Sequence, residues 1–287
     1  MWQVFLILYF VLGSASYILR KILAQNLGQH NRLINAVFFA FLLPTGIILS
    51  FFFPHNLNVG ALNLFFLLGG SLVWPIFYIL AFWANKEVDV GVYSIISNLS
   101  PIFTLALALP FLHESLKSLQ FLGVGLLILS GVLAAWSQFN KGGASNINGI
   151  LICLLSTIFL GVGVAYERFM LSRIDFGAYL IYGWGSQVAW GWILAGKELK
   201  KLPQLLSGVS SSRLVLLIWG LISVIKSVFF ILALKITASA SIISAASDFM
   251  SVAVVVAAYF FLKEKKHLVA KILATVIGVV GLLLIAK

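Results

Sequence analysis

Two residues stand where a membrane-embedded helix accommodates charge least readily, Lys226 and Asp248. Lys226 lies inside LVLLIWGLISVIKSVFFILAL and Asp248 inside SIISAASDFMSVAVVVAAY. A charge deep in a bilayer costs a contested ~2.5 kcal/mol or far more, so such residues mark function by default. The polar turn Lys235–Ala238 separates the two stretches, with Lys226 about ten residues before it and Asp248 about ten after it. At ~1.5 Å rise per residue both sit ~15 Å deep, at the bilayer midplane. A lysine there can hold a carboxylate or phosphate, and an aspartate can hold an ammonium group or a coupling proton. The same two residues could also pair with each other and lock a hairpin, which need not add net stability.

Weaker candidates surround this pair. Asn98 can hydrogen-bond a substrate or a neighbouring helix. Tyr17, Tyr93, Trp74, Trp184, Gln187 and Trp190 are aromatic or polar-tipped residues within apolar stretches, suited to lining a ligand pocket but also to packing or anchoring at the interface. Arg20, Glu167 and Arg168 fall near helix ends and are expected to reach the interface along their side chains. Glu114 and Glu264 sit at helix ends beside basic residues, as in HESLK and LKEKK, and read as loop structure. His30, His55, His113 and His267 are scattered, and no HExxH motif or phosphate-binding glycine loop occurs. Cys153 is the single cysteine, which excludes an intramolecular disulfide and a cysteine metal site. No cofactor, no metal and no catalytic residue is expected.

The elements that must position these residues are membrane helices. Hydrophobic residues make up 62% of the 287 and charged ones 9%, too few to cover a soluble globule, which carries roughly 25%. The net charge of +11 is spread through short loops, where membrane topology accounts for it, and nucleic acid is not an expected partner. Apolar stretches near the length that spans a bilayer recur along the chain: 3–20, 32–53, 61–83, 91–112, 118–138, 147–169, 176–196, 213–234, 239–262 and 267–286. The first lacks a basic lead-in and a small-residue cleavage site, so it reads as a span and not as a signal peptide. The fold class is all-α integral membrane, ten transmembrane helices.

Ten spans divide into five and five. Gly13 precedes Arg20 by seven residues and Gly161 precedes Arg168 by seven. Ala84, Glu114 and Gly131 correspond in order to Ala233, Glu264 and Gly281 at nearly one offset. An odd number of spans per repeat places the halves in opposite orientations, the inverted-repeat plan of many secondary transporters, with a site near the midplane between them. The two five-helix repeats are assigned to residues 1–140 and 147–287. Pro75 and Pro101 are expected to bend helices 3 and 4. Gly123, Ser130 and Gly131, with Ala274, Gly278 and Gly281, should let helices 5 and 10 approach closely, within one chain or across a dimer.

The stretch from Ala84 to Gly131, with Ala84–Lys86 as Ala-x-Lys, Pro101 thirteen residues before Glu114 and a glycine-rich fifth helix, resembles the EamA-like domain of the drug/metabolite transporter superfamily. Gly13 and Arg20 fit the first helix of that family. The resemblance spans the chain as two tandem domains and implies a ten-helix transporter of metabolites, amino acids or drugs. Two positions depart from it. The family's proline is missing near Ser251, which removes the residue expected to break that helix, and Leu12 stands where the family often has Trp.

Thirteen Lys and Arg residues fall on one side of the membrane and five on the other, which puts the first side in the cytoplasm and both termini outside. The family arrangement puts both termini inside. The function expected is a secondary active transporter moving a small polar or amphipathic metabolite by alternating access, as an exporter or exchanger, in a bacterial or archaeal plasma membrane. Its partners would be the small-molecule substrate and membrane lipids, with the protein a monomer or homodimer. The alternatives are a lipid-modifying membrane enzyme, for which no His/Asp/Glu cluster appears, and a non-transporting scaffold.

Overall fold

The computed structural model describes residues 2–27, 30–112, 118–139, 145–203, 210–237, 239–264 and 267–285. Among these every regular element is helical. In chain order they are α1 (Trp2–Leu27), α2 (Asn31–Ser50), α3 (Ala61–Gly70), α4 (Val73–Glu87), α5 (Val90–Ser97), α6 (Ser100–Leu112) and α7 (Ser118–Phe139). There follow α8 (Ser145–Leu171), α9 (Phe176–Ala195), a 3₁₀ turn Gly196–Lys201, α10 (Ser210–Ile236), α11 (Ala240–Asp248), α12 (Met250–Phe261) and α13 (Leu268–Ile285). The pairs α3/α4, α5/α6 and α11/α12 are each one broken span. Nine spans of the described residues are long and apolar enough to cross a membrane. The tenth, α9, is 20 residues long and carries no charge; its Trp, Tyr and Gly content only lowers its hydropathy. The protein is an all-helical membrane protein, and apolar side chains such as Phe52, Phe65, Phe261 and Val269 stand outward where lipid meets them.

The breaks follow local chemistry. At Asn98–Leu99 the helical hydrogen bonds tighten to the third residue back, Asn98 N–H to Ile95 O at 3.1 Å and Leu99 N–H to Ile96 O at 3.0 Å. Pro101 then sits in the first turn of α6, where its missing N–H costs nothing. The broken ninth span corrects the expectation from sequence, because it breaks without a proline. Phe249 N–H donates to Ala246 O at 3.3 Å, and the flanking side chains are drawn to the facing break instead. Ser100 Oγ donates to Asp248 Oδ2 at 2.9 Å, and the Asn98 amide meets the Ser251 hydroxyl at 2.9 Å. Thr104 Oγ1 adds a bond to Ser244 Oγ at 3.2 Å. Two broken spans therefore cross at their breaks, zipped by short polar side chains that satisfy one another away from water.

Around this crossing α1 packs on α10 and α12, α8 packs on α4 and α6, and α2 packs on α9. On the outside α7 packs on α13 at backbone contact. A Cβ on Gly123 would lie 2.7 Å from Gly281 O, and one on Gly281 would lie 2.9 Å from Gly123 O. Ser130 Oγ donates to Ala274 O at 2.7 Å across the same seam. The small-residue face is thus used within the chain; Gly131 leaves it and meets Leu99.

Lys21 and Lys271 are also buried, which the loop-based reading of their charge missed. Lys21 Nζ donates to Asn85 O at 2.6 Å and Val88 O at 2.7 Å, binding α1 to the C-terminal end of α4. Lys271 lies 2.9 Å from Asp89 Oδ2 and 3.3 Å from Glu264 Oε2. Glu264 in turn accepts Val90 N–H at 2.8 Å and Gly91 N–H at 3.2 Å, two of the free donors that begin α5. Its counterpart in the first half, Glu114, lies outside the described residues.

Candidate functional site

One cavity collects the polar groups of the interior. Its walls come from the first four spans of each half, while α7 and α13 contribute nothing. From α1 come Tyr9, Tyr17 and Arg20; from α4, Trp74, Phe77 and Tyr78; from α8, Glu167; from α9, Trp184 and Gln187. Lys226 and Ser227 enter from α10, Ser247 and Asp248 from α11, and Ser100 from α6. The volume open to the centre of a water molecule is about 60 Å³, several times the ~10–15 Å³ of such volume that one water needs. The side chains close tightly around a space for a small solute.

Six of the nine residues singled out from sequence line this cavity: Lys226, Asp248, Tyr17, Trp74, Trp184 and Gln187. Asn98 and Tyr93 stand behind the wall, and Trp190 lies away from it. Asn98 belongs to the helix crossing. With its oxygen accepting from Ser251 Oγ at 2.9 Å, its NH₂ reaches the Ser94 and Asp248 carbonyls, each at 3.1 Å. Tyr93 backs Tyr17, with ring centroids 5.7 Å apart. Trp190 donates to Leu68 O elsewhere on the bundle.

Lys226 and Asp248 are each 8% exposed and share the cavity wall, but they form no ion pair. Asp248 is held by Ser100, and the Lys226 ammonium stands 5.6 Å from the centre of the Tyr9 ring. The hairpin lock considered from sequence is therefore not built.

Arg20 and Glu167 correct the sequence reading. Each is 3% exposed, inside the cavity and not at the interface. The helix α1 runs on to Leu27, past the point where its apolar pattern fades, so Arg20 lies two turns inside the span. Its guanidinium lies over Tyr17 at 4.5 Å and Tyr93 at 4.9 Å, a cation held on aromatic faces. Nε and Nη2 have no hydrogen-bond partner in the protein. Glu167 Oε1 accepts from the Tyr179 hydroxyl at 3.1 Å, while its Oε2 has no partner. Trp74 Nε1 and Gln187 Nε2 likewise make no hydrogen bond of good geometry, although Trp74 lies near the Glu167 carboxylate and Gln187 near the Tyr179 hydroxyl. Helix length, not residue type, was the missing signal: Gln25 and Asn26 read as loop, and Arg20 was placed at an end it does not occupy.

Buried polar atoms are normally satisfied, and leaving one unmade costs ~1–3 kcal/mol. Half of those left unpartnered among the described residues line this one cavity. They offer donors on Arg20, Trp74 and Gln187 and an acceptor on Glu167, and beside them the Lys226 ammonium faces the Tyr9 ring. Aromatic faces fill the intervals. Such a wall can hold a small molecule bearing both charged and apolar parts.

Residues 1–136 match the EamA-like transporter family. The matched stretch carries Gly13, Arg20, Ala84 and Pro101, residues on which the resemblance was read, and the family it matches is one of membrane transporters. A solved crystal structure is similar in fold, with a TM-score of 0.60 and 18% identity over 97% of this chain and 98% of its own. At that identity the likeness speaks for the fold alone. No match is found among curated protein sequences.

Proposed function

We propose that this EamA-like protein is a secondary active transporter that moves a small amphipathic metabolite by alternating access, as an exporter or exchanger. The observation that carries this reading is the concentration of unpartnered polar atoms in a cavity walled by both halves, at the crossing of two broken spans. Secondary transporters bind substrate at discontinuous helices near the midplane. The helix pairings support an inverted repeat of residues 1–140 and 147–287. Exchanging the halves turns the α1–α10 pairing into α8–α4 and the α1–α12 pairing into α8–α6. It returns α2–α9 and α7–α13 to themselves. Two cations, Arg20 and Lys226, and two carboxylates, Glu167 and Asp248, suit a solute with an anionic group and a second polar or cationic group, its apolar body lying against the tyrosines and tryptophans.

The test is the melting temperature of the purified protein against a metabolite panel, for wild type, Lys226→Ala and Asp248→Asn. A ligand of the folded state stabilises by about 2.7 kcal/mol at a hundred times Kd. The expected result is a compound that shifts wild type by several degrees and neither variant. Equal shifts in all three remove Lys226 and Asp248 from the site.

For orientation we keep the charge tally. Arg20, Lys21 and Lys271 are buried, so they leave the count at ten against five, which still favours the side of Lys197, Lys200 and Lys201 as the cytoplasmic one. Cys153 is buried, so a cysteine placed at the exposed Lys200 by Lys200→Cys reports alone. It is expected to react with an impermeant thiol reagent only after permeabilisation; reaction in intact cells reverses the orientation.

A further inference from the structure

On the lipid-facing side of the bundle, α2, α9 and α10 leave a second hollow, of about 380 Å³, closed at one end by the 3₁₀ turn Gly196–Lys201 and Leu202. Ala40 and Phe41 of α2, Trp192 of α9, Leu217 of α10, and Leu199 and Leu202 are among its walls, and every lining residue is apolar. The one polar atom on Trp192 is already used, since its Nε1 donates to Ala36 O at 3.2 Å. A polar solute entering here would surrender hydration with nothing to replace it. A hydrocarbon chain would not.

The closing turn has a second face. Gly196 takes φ 49°, which folds the chain back across the end of α9 at a conformation that favours glycine. In the 3₁₀ turn that follows, residues three apart eclipse. Leu199 therefore shares its side with Leu202, and both line the hollow. Lys197 shares its side with Lys200, and these, with the adjacent Lys201, are exposed. The acidic residue of the turn, Glu198, is half-buried. Three ammonium groups thus stand at the end of a span, at headgroup level, on the turn whose leucines close an apolar groove. Arg32, which opens α2, is exposed at the same end.

We propose that this groove binds an anionic phospholipid of the adjoining leaflet, one acyl chain against Ala40, Phe41 and Trp192 and the phosphate on Lys197, Lys200 and Lys201. The charge pattern selects the occupant: a zwitterionic lipid would satisfy the groove but bring no net charge to the lysines, whereas phosphatidylglycerol meets both. Each basic residue near an anionic headgroup favours binding by about fivefold, and the apolar groove adds what surface attraction alone lacks.

The test compares lipid retained by the purified full chain, by native mass spectrometry, after reconstitution in equal phosphatidylglycerol and phosphatidylcholine. Wild type should keep one phosphatidylglycerol per chain. The triple variant Lys197→Gln/Lys200→Gln/Lys201→Gln should lose roughly tenfold or more in retention. Ala40→Trp, at an exposed position that fills the groove and leaves the lysines, should lose it too, as should Leu202→Asn at the mouth. Melting temperatures of all variants in phosphatidylcholine alone check that they fold. Equal retention of both lipids by wild type overturns the anionic assignment. Retention unchanged in both Ala40→Trp and Leu202→Asn reduces the site to diffuse surface attraction and overturns it as well. A lipid-free dimer broken by Ala40→Trp would assign the groove to a second copy instead.

Discussion

Arg20→Gln is expected to abolish ligand-dependent stabilisation and transport in proteoliposomes while leaving the ligand-free melting temperature unchanged or raised. The guanidinium is buried, two of its nitrogens lack partners, and its planar faces are fixed by Tyr17 and Tyr93 at 4.5 and 4.9 Å. In the free protein the two rings return only part of the desolvation cost of this cation, so removing it costs the fold little or relieves it. A bound anion accepting two charge-assisted hydrogen bonds recovers it, and each such bond is worth ~1.5–3 kcal/mol. The loss in apparent affinity should therefore reach roughly a hundredfold or more. Arg20→Lys keeps the charge but not the fork or the stacking, and should restore only part of the binding. If Arg20→Gln instead lowers the ligand-free melting temperature by many degrees and leaves affinity intact, Arg20 is a strut between α1 and α5 and the solute's charged group is held elsewhere.

How far such a site can be read from sequence depends on which property of a residue is asked for. Lys226 and Asp248 were legible because a lone charge inside an otherwise uncharged stretch of membrane-spanning length has nowhere to go in a bilayer. Their partners were not legible: hairpin geometry matched their depth, but depth says nothing of azimuth around the helix, and the two face one cavity without meeting. Arg20 and Glu167 were misplaced for the complementary reason. A span is longer than its apolar stretch when other helices shield its end, and α1 and α8 run to 26 and 27 residues. The break at Phe249 shows the same limit, since no proline marks it. The cause lies 150 residues away in sequence, in Ser100 and Asn98 on the facing span. Spans and their number are local properties of a sequence; helix breaks made by tertiary hydrogen bonds are not.

The buried cluster at the other level of the bundle should carry the largest effect on stability. Glu264 performs two tasks with one carboxylate: it caps Val90 and Gly91 at 2.8 and 3.2 Å, and it faces Lys271 at 3.3 Å. Lys271 is 2% exposed and shared with Asp89 at 2.9 Å. Losing a helix cap costs ~1 kcal/mol, and removing one partner from a buried ion cluster costs ~3–5 kcal/mol. Asp89 remains to hold Lys271, so Glu264→Ala should cost about 3 kcal/mol, or on the order of 6–10 °C in melting temperature. Lys271→Met should cost a similar amount, because it leaves two carboxylates facing each other. The double variant should cost clearly less than the sum, by at least ~1 kcal/mol, since residues of one buried network couple. Strict additivity would mean that Glu264 acts through the cap alone. In a transporter working by alternating access the same contacts tie the start of α5 to α13 and hold this end of the bundle closed. On the inverted repeat proposed above, Asp89 and Lys271 correspond to Ser239 and Phe121, and the opposite end would lack this pair. Glu264→Gln, which keeps the shape and weakens the charge, should therefore open this end more often. A cysteine introduced by Val92→Cys, beside the capped turn, would then react faster with an impermeant thiol reagent than in wild type. An unchanged rate would assign the cluster to folding only.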